Sequence, residues 1–330
     1  MSRPLCTSLG LNSLPLGEIH ERWLHLVDDA LGRPVVLPLL VARGSPGPVI
    51  GLTGAVHGDE VNGVAVIHRL FQKLDVNKLH GTIAALPVVN VPAFHRHARR
   101  TPHGLDLNHH FPGRPQGNDV QVYAHRVLDR FVRHLDVLLD LHTASRGRAN
   151  CLYVRADMLQ TETARLAYLQ RPQIILHNPA SDGTLRGAAS ELGVPAITIE
   201  VGNPSRFQRE YVRQSVVGIR AVLAEKGMIR KRPIRMGPEP LVCRESDWLY
   251  TDRGGLLRVL PQITEQVRGG DPVAELVDPF GRHVKTYTAP HDGVVIGRAL
   301  DPVAGTGARI LHLGRLAGSD VPYVRRAANV

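Results

Sequence analysis

The chain of 330 residues has no apolar run approaching the roughly 20 residues that a membrane-crossing helix needs, so no membrane partner is expected. The opening residues, with Arg3, Pro4 and Leu14-Pro15, lack a signal-peptide pattern. Only three cysteines occur, Cys6, Cys151 and Cys243; they are far apart, odd in number and without metal-type spacing. A disulfide framework is therefore not expected, and a cytoplasmic, reducing setting is. Lysines are few among the 40 Lys+Arg, and the arginines are scattered, with neither a basic run nor an aromatic-interleaved patch. That scarcity argues against a nucleic-acid partner despite a formal charge of +10. The positive field suits anionic small molecules instead. Internal repeats and low-complexity tracts are missing too. With 43% hydrophobic content, what remains is a folded protein of one large and one smaller domain, compatible with a homo-oligomer.

The first 47 residues read as a hairpin, with Trp23–Val27 and Arg33–Val41 as strands around a turn at Asp28-Asp29 and Gly32-Arg33-Pro34. Short apolar strands then alternate with helices. The strands are Val49–Thr53, Gly81–Val89, Val137–Leu141 and Ala196–Val201; the helices are Asn62–Leu74, Asp119–Val132 and Glu210–Lys226. This alternation predicts an α/β domain with a mixed, largely parallel sheet flanked by helices. Composition shifts at Arg230-Lys231-Arg232-Pro233, which places a boundary between residues 1–232 and 233–330. Beyond it, short runs such as Gly254–Val259, Pro272–Val277, His283–Thr288 and Ala308–Leu313 predict a small all-β sandwich. Its turns look like those of a biotinyl/lipoyl-type module, but no Met-Lys-Met-like tip exists to carry a cofactor.

Chemistry concentrates behind the first core strand, at Gly54-Ala55-Val56-His57-Gly58-Asp59-Glu60. If this turn opens the Asn62 helix, His57 and Glu60 lie on one side of its first turn and reach one ion. By itself the pair reads equally well as a helix start favoured by acidic residues. His142 shifts the reading, because it ends the strand Val137–Leu141, and ligands gather at the carboxyl ends of strands in open α/β sheets. Two histidines and a glutamate form a catalytic zinc set with one position open. Asp140 is placed to orient a ring or to be a buried structural residue. Glu200 ends the strand Pro195–Ile199 and is the candidate general base for an activated water.

Four motifs in one order, His57-Gly-Asp-Glu60, Asp106-Leu107-Asn108 with Phe111-Pro112-Gly113, Asp140-Leu-His142-Thr, and Ile199-Glu200-Val-Gly202, resemble the succinylglutamate desuccinylase/aspartoacylase family of the zinc carboxypeptidase superfamily. The resemblance runs from about residue 20 to 315. It implies a zinc carboxypeptidase-like fold, one Zn2+ held by His57, Glu60 and His142, and Glu200 as base and later acid. It also implies that Asn108 helps to hold a substrate carboxylate or amide, and that Arg99, or else Arg100, polarises the scissile carbonyl. One departure stands out: the family's usual arginine after this asparagine is His109 here. Histidine cannot reproduce a bidentate fork, so a neutral or differently charged substrate, or compensation by Arg114 or another arginine, is expected at that point. The expected activity is hydrolysis of the amide of a small N-acylated amino acid or related amide. A carboxypeptidase or amidase acting on peptide-like substrates, and a non-catalytic metal- or ligand-binding protein, are the alternatives.

Overall fold

A computed structural model of the chain describes residues 3–180, 183–231, 238–318 and 321. The expected hairpin is present, with Glu18–Asp28 antiparallel to Pro34–Arg43. Its alternation is visible in the buried set Leu24, Leu26, Leu37, Leu39 and Val41. At the centre of the main sheet, Ser45–Gly54, Val137–His142 and Ala196–Val201 run side by side in parallel. All six residues of each of the last two strands are buried. Covered on both faces, they read in sequence as continuous apolar runs.

Alternate residues of one strand feed opposite cores. Val137, Leu139 and Leu141 pack with helices Asn62–Gln72, Thr161–Leu169 and Arg209–Glu225. Leu138 packs on the other side with helices Asp119–Arg130 and Leu185–Glu191. Asn118 and Gln121 close a capping box at the start of the Asp119–Arg130 helix, which explains its sharp onset.

Three strands between the motifs carry weaker sequence signals. Leu152–Ala156 pairs antiparallel with Ala196–Val201 and parallel with Ile174–His177. Arg148–Asn150 pairs instead with Gly297, Arg298 and Ala299 of the C-terminal strand Gly293–Ala299.

The C-terminal antiparallel part does not stand apart. Leu241–Tyr250 adds in parallel to Ile174–His177 and antiparallel to Arg309–Leu316, so the described strands form one 14-stranded sheet. A second, four-stranded sheet of His283–Thr288, Pro272–Val277, Gly255–Val259 and Val303–Ala304 shares a core with it around Leu257, Val273, Leu276, Val295 and Leu311. The expected boundary between residues 232 and 233 falls within 232–237, outside the described residues. Among the described residues no helix is long and apolar enough to cross a membrane.

Candidate metal centre and active site

Strand Ser45–Gly54 gives way at Ala55, whose φ is 46°, to a turn in which the Glu60 N–H donates to the His57 carbonyl at 3.1 Å. This turn, rather than a helical first turn, joins His57 to Glu60; the helix begins only at Asn62. Gly58 permits it, because a methyl group there would collide with the backbone of Ala93 and Phe94. His142 ends the next strand, and the parallel register sets it directly opposite Glu200.

The side chains converge. His57 Nδ1 lies 2.8 Å from Glu60 Oε1, His142 Nδ1 lies 3.1 Å from Glu60 Oε2, and the two Nδ1 atoms are 3.3 Å apart. On their far sides, His57 Nε2 meets Asp106 Oδ1 at 3.0 Å and His142 Nε2 meets Asp140 Oδ2 at 2.8 Å. Each ring thus lies between two carboxylates; with a cation on the Glu60 side, the ring would keep its proton on Nε2 toward Asp106 or Asp140 and turn its Nδ1 lone pair inward. His57, Glu60 and His142 are all buried and bring their donor atoms within 4.8 Å of one another. Two imidazole nitrogens and a carboxylate, buried and this close, form a donor set that suits zinc.

The charges in this cluster are tightly coupled. Burial opposes charge on both rings, but Glu60 and Asp106 at His57, and Asp140 and Glu60 at His142, outweigh it and raise both pKa values. Burial would raise Glu60, yet the two histidines hold it well below the usual carboxylate range. Glu200 behaves in the opposite way. Burial pushes its pKa up, and Arg155, with Nε 3.6 Å from Glu200 Oε1, offsets only part of this. The Asn150 amide reaches Glu200 Oε2 at 3.5 Å, and Gly297 leaves room for it, since a Cβ there would strike Asn150.

These groups border a cavity of about 450 Å3, within the range of small-ligand sites. Arg99 is fixed beside the ligand set: its Nε donates to Asp106 Oδ2 at 2.9 Å, and its Nη1 donates to Ser145 Oγ at 2.9 Å and to Glu60 Oε1 at 3.2 Å. Asn108 borders the cavity too, though its Oδ1 accepts from the Leu185 N–H at 2.9 Å. His109 and Arg100 lie at the rim. The His109 side chain is 65% exposed and 3.8 Å from Asp106, while Arg100 donates to the Gly104 carbonyl. Arg114 is not brought to the cavity: it is exposed, and its backbone N–H is engaged by the Gln121 carbonyl as the chain turns into the following helix.

Sequence reasoning missed a second group of lining residues, Arg148, Tyr153, Arg155, Arg186, Trp248 and Arg309. Arg186 is 1% exposed, with its guanidinium on the Asn178 and Pro179 carbonyls. A period-two alternation of polar and apolar residues in Arg148-Ala149-Asn150-Cys151, just after the His142 loop, was the available signal for that stretch. Trp248 and Arg309 offered none, because only the Leu241–Tyr250/Arg309–Leu316 pairing brings them here.

Residues 46–226 match the model of the succinylglutamate desuccinylase/aspartoacylase catalytic domain. The chain is 24% identical over 310 residues to the N-alpha-acetyl-L-2,4-diaminobutyric acid deacetylase of Halomonas elongata, covering 88% of this chain and 89% of that one. Its fold is similar to the product-bound ectoine utilization protein EutE (DoeB) of Ruegeria pomeroyi, with a TM-score of 0.82, 24% identity, and coverage of 92% of this chain and 98% of that one. It is also similar to a succinylglutamate desuccinylase/aspartoacylase of Rhodobacter sphaeroides, with a TM-score of 0.80 and the same identity and coverage. With the family match spanning more than half of the chain, the protein belongs to the succinylglutamate desuccinylase/aspartoacylase family of deacylases.

Proposed function

We propose that the chain is a zinc-dependent deacylase that hydrolyses the amide of a small N-acylated amino acid or related amide. The observation that carries this reading is the convergence of His57, Glu60 and His142, with Glu200 in register opposite His142. His57, Glu60 and His142 would hold the zinc ion, which when bound would supply Lewis acidity toward a water and an acyl carbonyl. Glu200 takes the proton of the attacking water; its burial raises its basicity, and Arg155 offsets part of that rise. Arg99, immobilised by Asp106 and Ser145, faces the acyl oxygen as negative charge develops there. Glu200 then hands its proton to the departing amine, so that amide and water become a carboxylate and a free amine.

Asn108 and the rim residues His109 and Arg100 contact the substrate in this reading. The chain divides into an α/β part, residues 1–232, and a β part, 233–330, the latter contributing Trp248 and Arg309 to the cavity wall. Glu200→Gln tests the assignment. Zinc content is expected to be unchanged, while turnover of an N-acetyl amino acid falls on the order of 100- to 10,000-fold. Full activity in that variant excludes Glu200 as the base.

A further inference from the structure

The arginines around the cavity are not equivalent. Arg99 is paired with Asp106 and Glu60, Arg155 with Glu200, and Arg186 is wrapped by the carbonyls of Asn178 and Pro179. Arg148 and Arg309 differ: among the described residues neither guanidinium has an ion pair or a hydrogen bond. Both instead flank one indole, at 5.2 Å and 4.8 Å from the centre of Trp248. Behind that ring His312 stacks at 4.6 Å with an interplanar angle of 4°, its Nε2 2.7 Å from Ser246 Oγ. Burial and the surrounding arginines keep this histidine neutral.

One guanidinium on an indole is an ordinary cation–π contact. Two on the same ring repel each other, and a half-buried Arg148 beside an exposed Arg309, with no carboxylate bonded to either, carries a cost that an anion between them would relieve. The cost is visible at Arg148, whose pKa is pushed down to about 10 by burial, then by Arg309 and Arg99. Glu200 also lies within electrostatic reach of Arg148, and Asn150, on the same short strand, touches Glu200. The uncompensated charge therefore sits on the general-base side of the cavity. Guanidinium forks match carboxylates in shape as well as in charge.

We propose that Arg148 and Arg309, mounted on Trp248, form a carboxylate-binding subsite that selects N-acyl substrates carrying a free carboxylate. The proposal rests on the deacylase reading for its substrate class. It assigns the C-terminal β part a direct share in specificity, because Trp248 and Arg309 both come from it. The carboxylate belongs either to the amino-acid half or to the acyl half of the substrate; the chemistry at the two guanidiniums is the same.

The test uses the full zinc-loaded chain and three probes: N-acetyl-L-2,4-diaminobutyrate, its primary carboxamide, and N-succinyl-n-butylamine. Arg309→Gln alters an exposed residue, and Arg148→Gln is the partner variant. In each, KM for the carboxylate-bearing probe that the wild type uses is expected to rise on the order of 10- to 100-fold, as for loss of a hydrogen bond between charged groups. Turnover of the carboxamide is expected to stay within about threefold of wild type. The carboxylate probe that shows the loss identifies the half of the substrate involved. A parallel fall for the carboxamide, or a wild type indifferent to the carboxylate, overturns the proposal.

Calorimetric binding of the same probes separates the two readings. If no probe is hydrolysed but the wild type binds the carboxylates and Arg309→Gln does not, the deacylase assignment fails and the subsite stands. Equal binding by wild type and both variants removes the subsite whatever the catalytic result.

Discussion

Asp140 gives the sharpest check on how the metal ligands are set, because Asp140→Asn changes almost no volume and reverses one hydrogen-bond direction. The carboxylate accepts from Thr53 Oγ1 at 2.6 Å and from His142 Nε2 at 2.8 Å, and Asp140 and Thr53 are both fully buried. An asparagine that keeps its Oδ1 on the threonine hydroxyl must present its NH2 group to His142 Nε2. That donor forces the ring proton onto Nδ1, the atom that faces Glu60 and would hold the proposed metal. Turning the amide over restores the ligand tautomer but leaves the Thr53 hydroxyl hydrogen without an acceptor, at a cost of about 1–3 kcal/mol. Either way zinc binding is expected to weaken by about 10- to 100-fold, the usual range for loss of a partner behind a metal-bound histidine. Competition with a chromophoric chelator measures it, with circular dichroism confirming the fold. The double variant Thr53→Val/Asp140→Asn isolates the tautomer effect from the lost negative charge: with no hydroxyl to satisfy, the amide is free to turn, and zinc affinity is expected to recover part of the loss. Unchanged affinity in Asp140→Asn, or a double variant weaker than the single one, refutes the reasoning.

Two further outcomes follow from the same geometry. Glu200 has its pKa raised by burial and pulled back by Arg155, so Arg155→Gln is expected to raise it further and move the acid limb of the kcat/KM profile to higher pH; an acid limb that stays or moves to lower pH contradicts this role for Arg155. Gly58→Ala drives a methyl group into the backbone of Ala93 and Phe94, and is expected to cost at least about 1–3 kcal/mol and to loosen the His57–Glu60 turn. A lowered melting temperature together with weaker zinc binding is the expected signature, and a variant that melts and binds zinc like the wild type shows that the turn adapts.

The parts of this molecule that were readable from sequence share a physical reason. Buried parallel strands need apolar residues on both faces, so Val137–His142 and Ala196–Val201 stand out, and a polar residue at the end of such a strand has nowhere to go but the sheet's carboxyl edge. That logic reached His142 and Glu200, which the register sets opposite each other. It reached His57 and Glu60 as well, although by the wrong local route: a three-residue spacing suits a helical turn and a tight turn alike, and only the close approach of Gly58 to Ala93 distinguishes them. Position alone misled at Arg114. It follows Asn108 closely in sequence, but it is exposed, with its backbone N–H on the Gln121 carbonyl, and does not line the cavity.

Specificity was the illegible part, because it is assembled between segments that are distant in the chain. Arg148 is held through pairing of its short strand with residues 297–299, and Arg309 faces Tyr250 across a strand pair that also sets His312 opposite Trp248. No local periodicity encodes such a meeting, since each strand satisfies its own alternation whichever neighbour it finds. The proposed metal ligands and base lie at or just beyond the ends of the central strands, whose buried register leaves them little freedom. The residues of the proposed carboxylate subsite come from further out in the same sheet, with Trp248 on the partly exposed strand Leu241–Tyr250 and Arg309 at the exposed start of Arg309–Leu316. An exchange of Trp248 or Arg309 is therefore expected to change which amide is accepted while His57, Glu60, His142 and Glu200 remain where the core strands hold them.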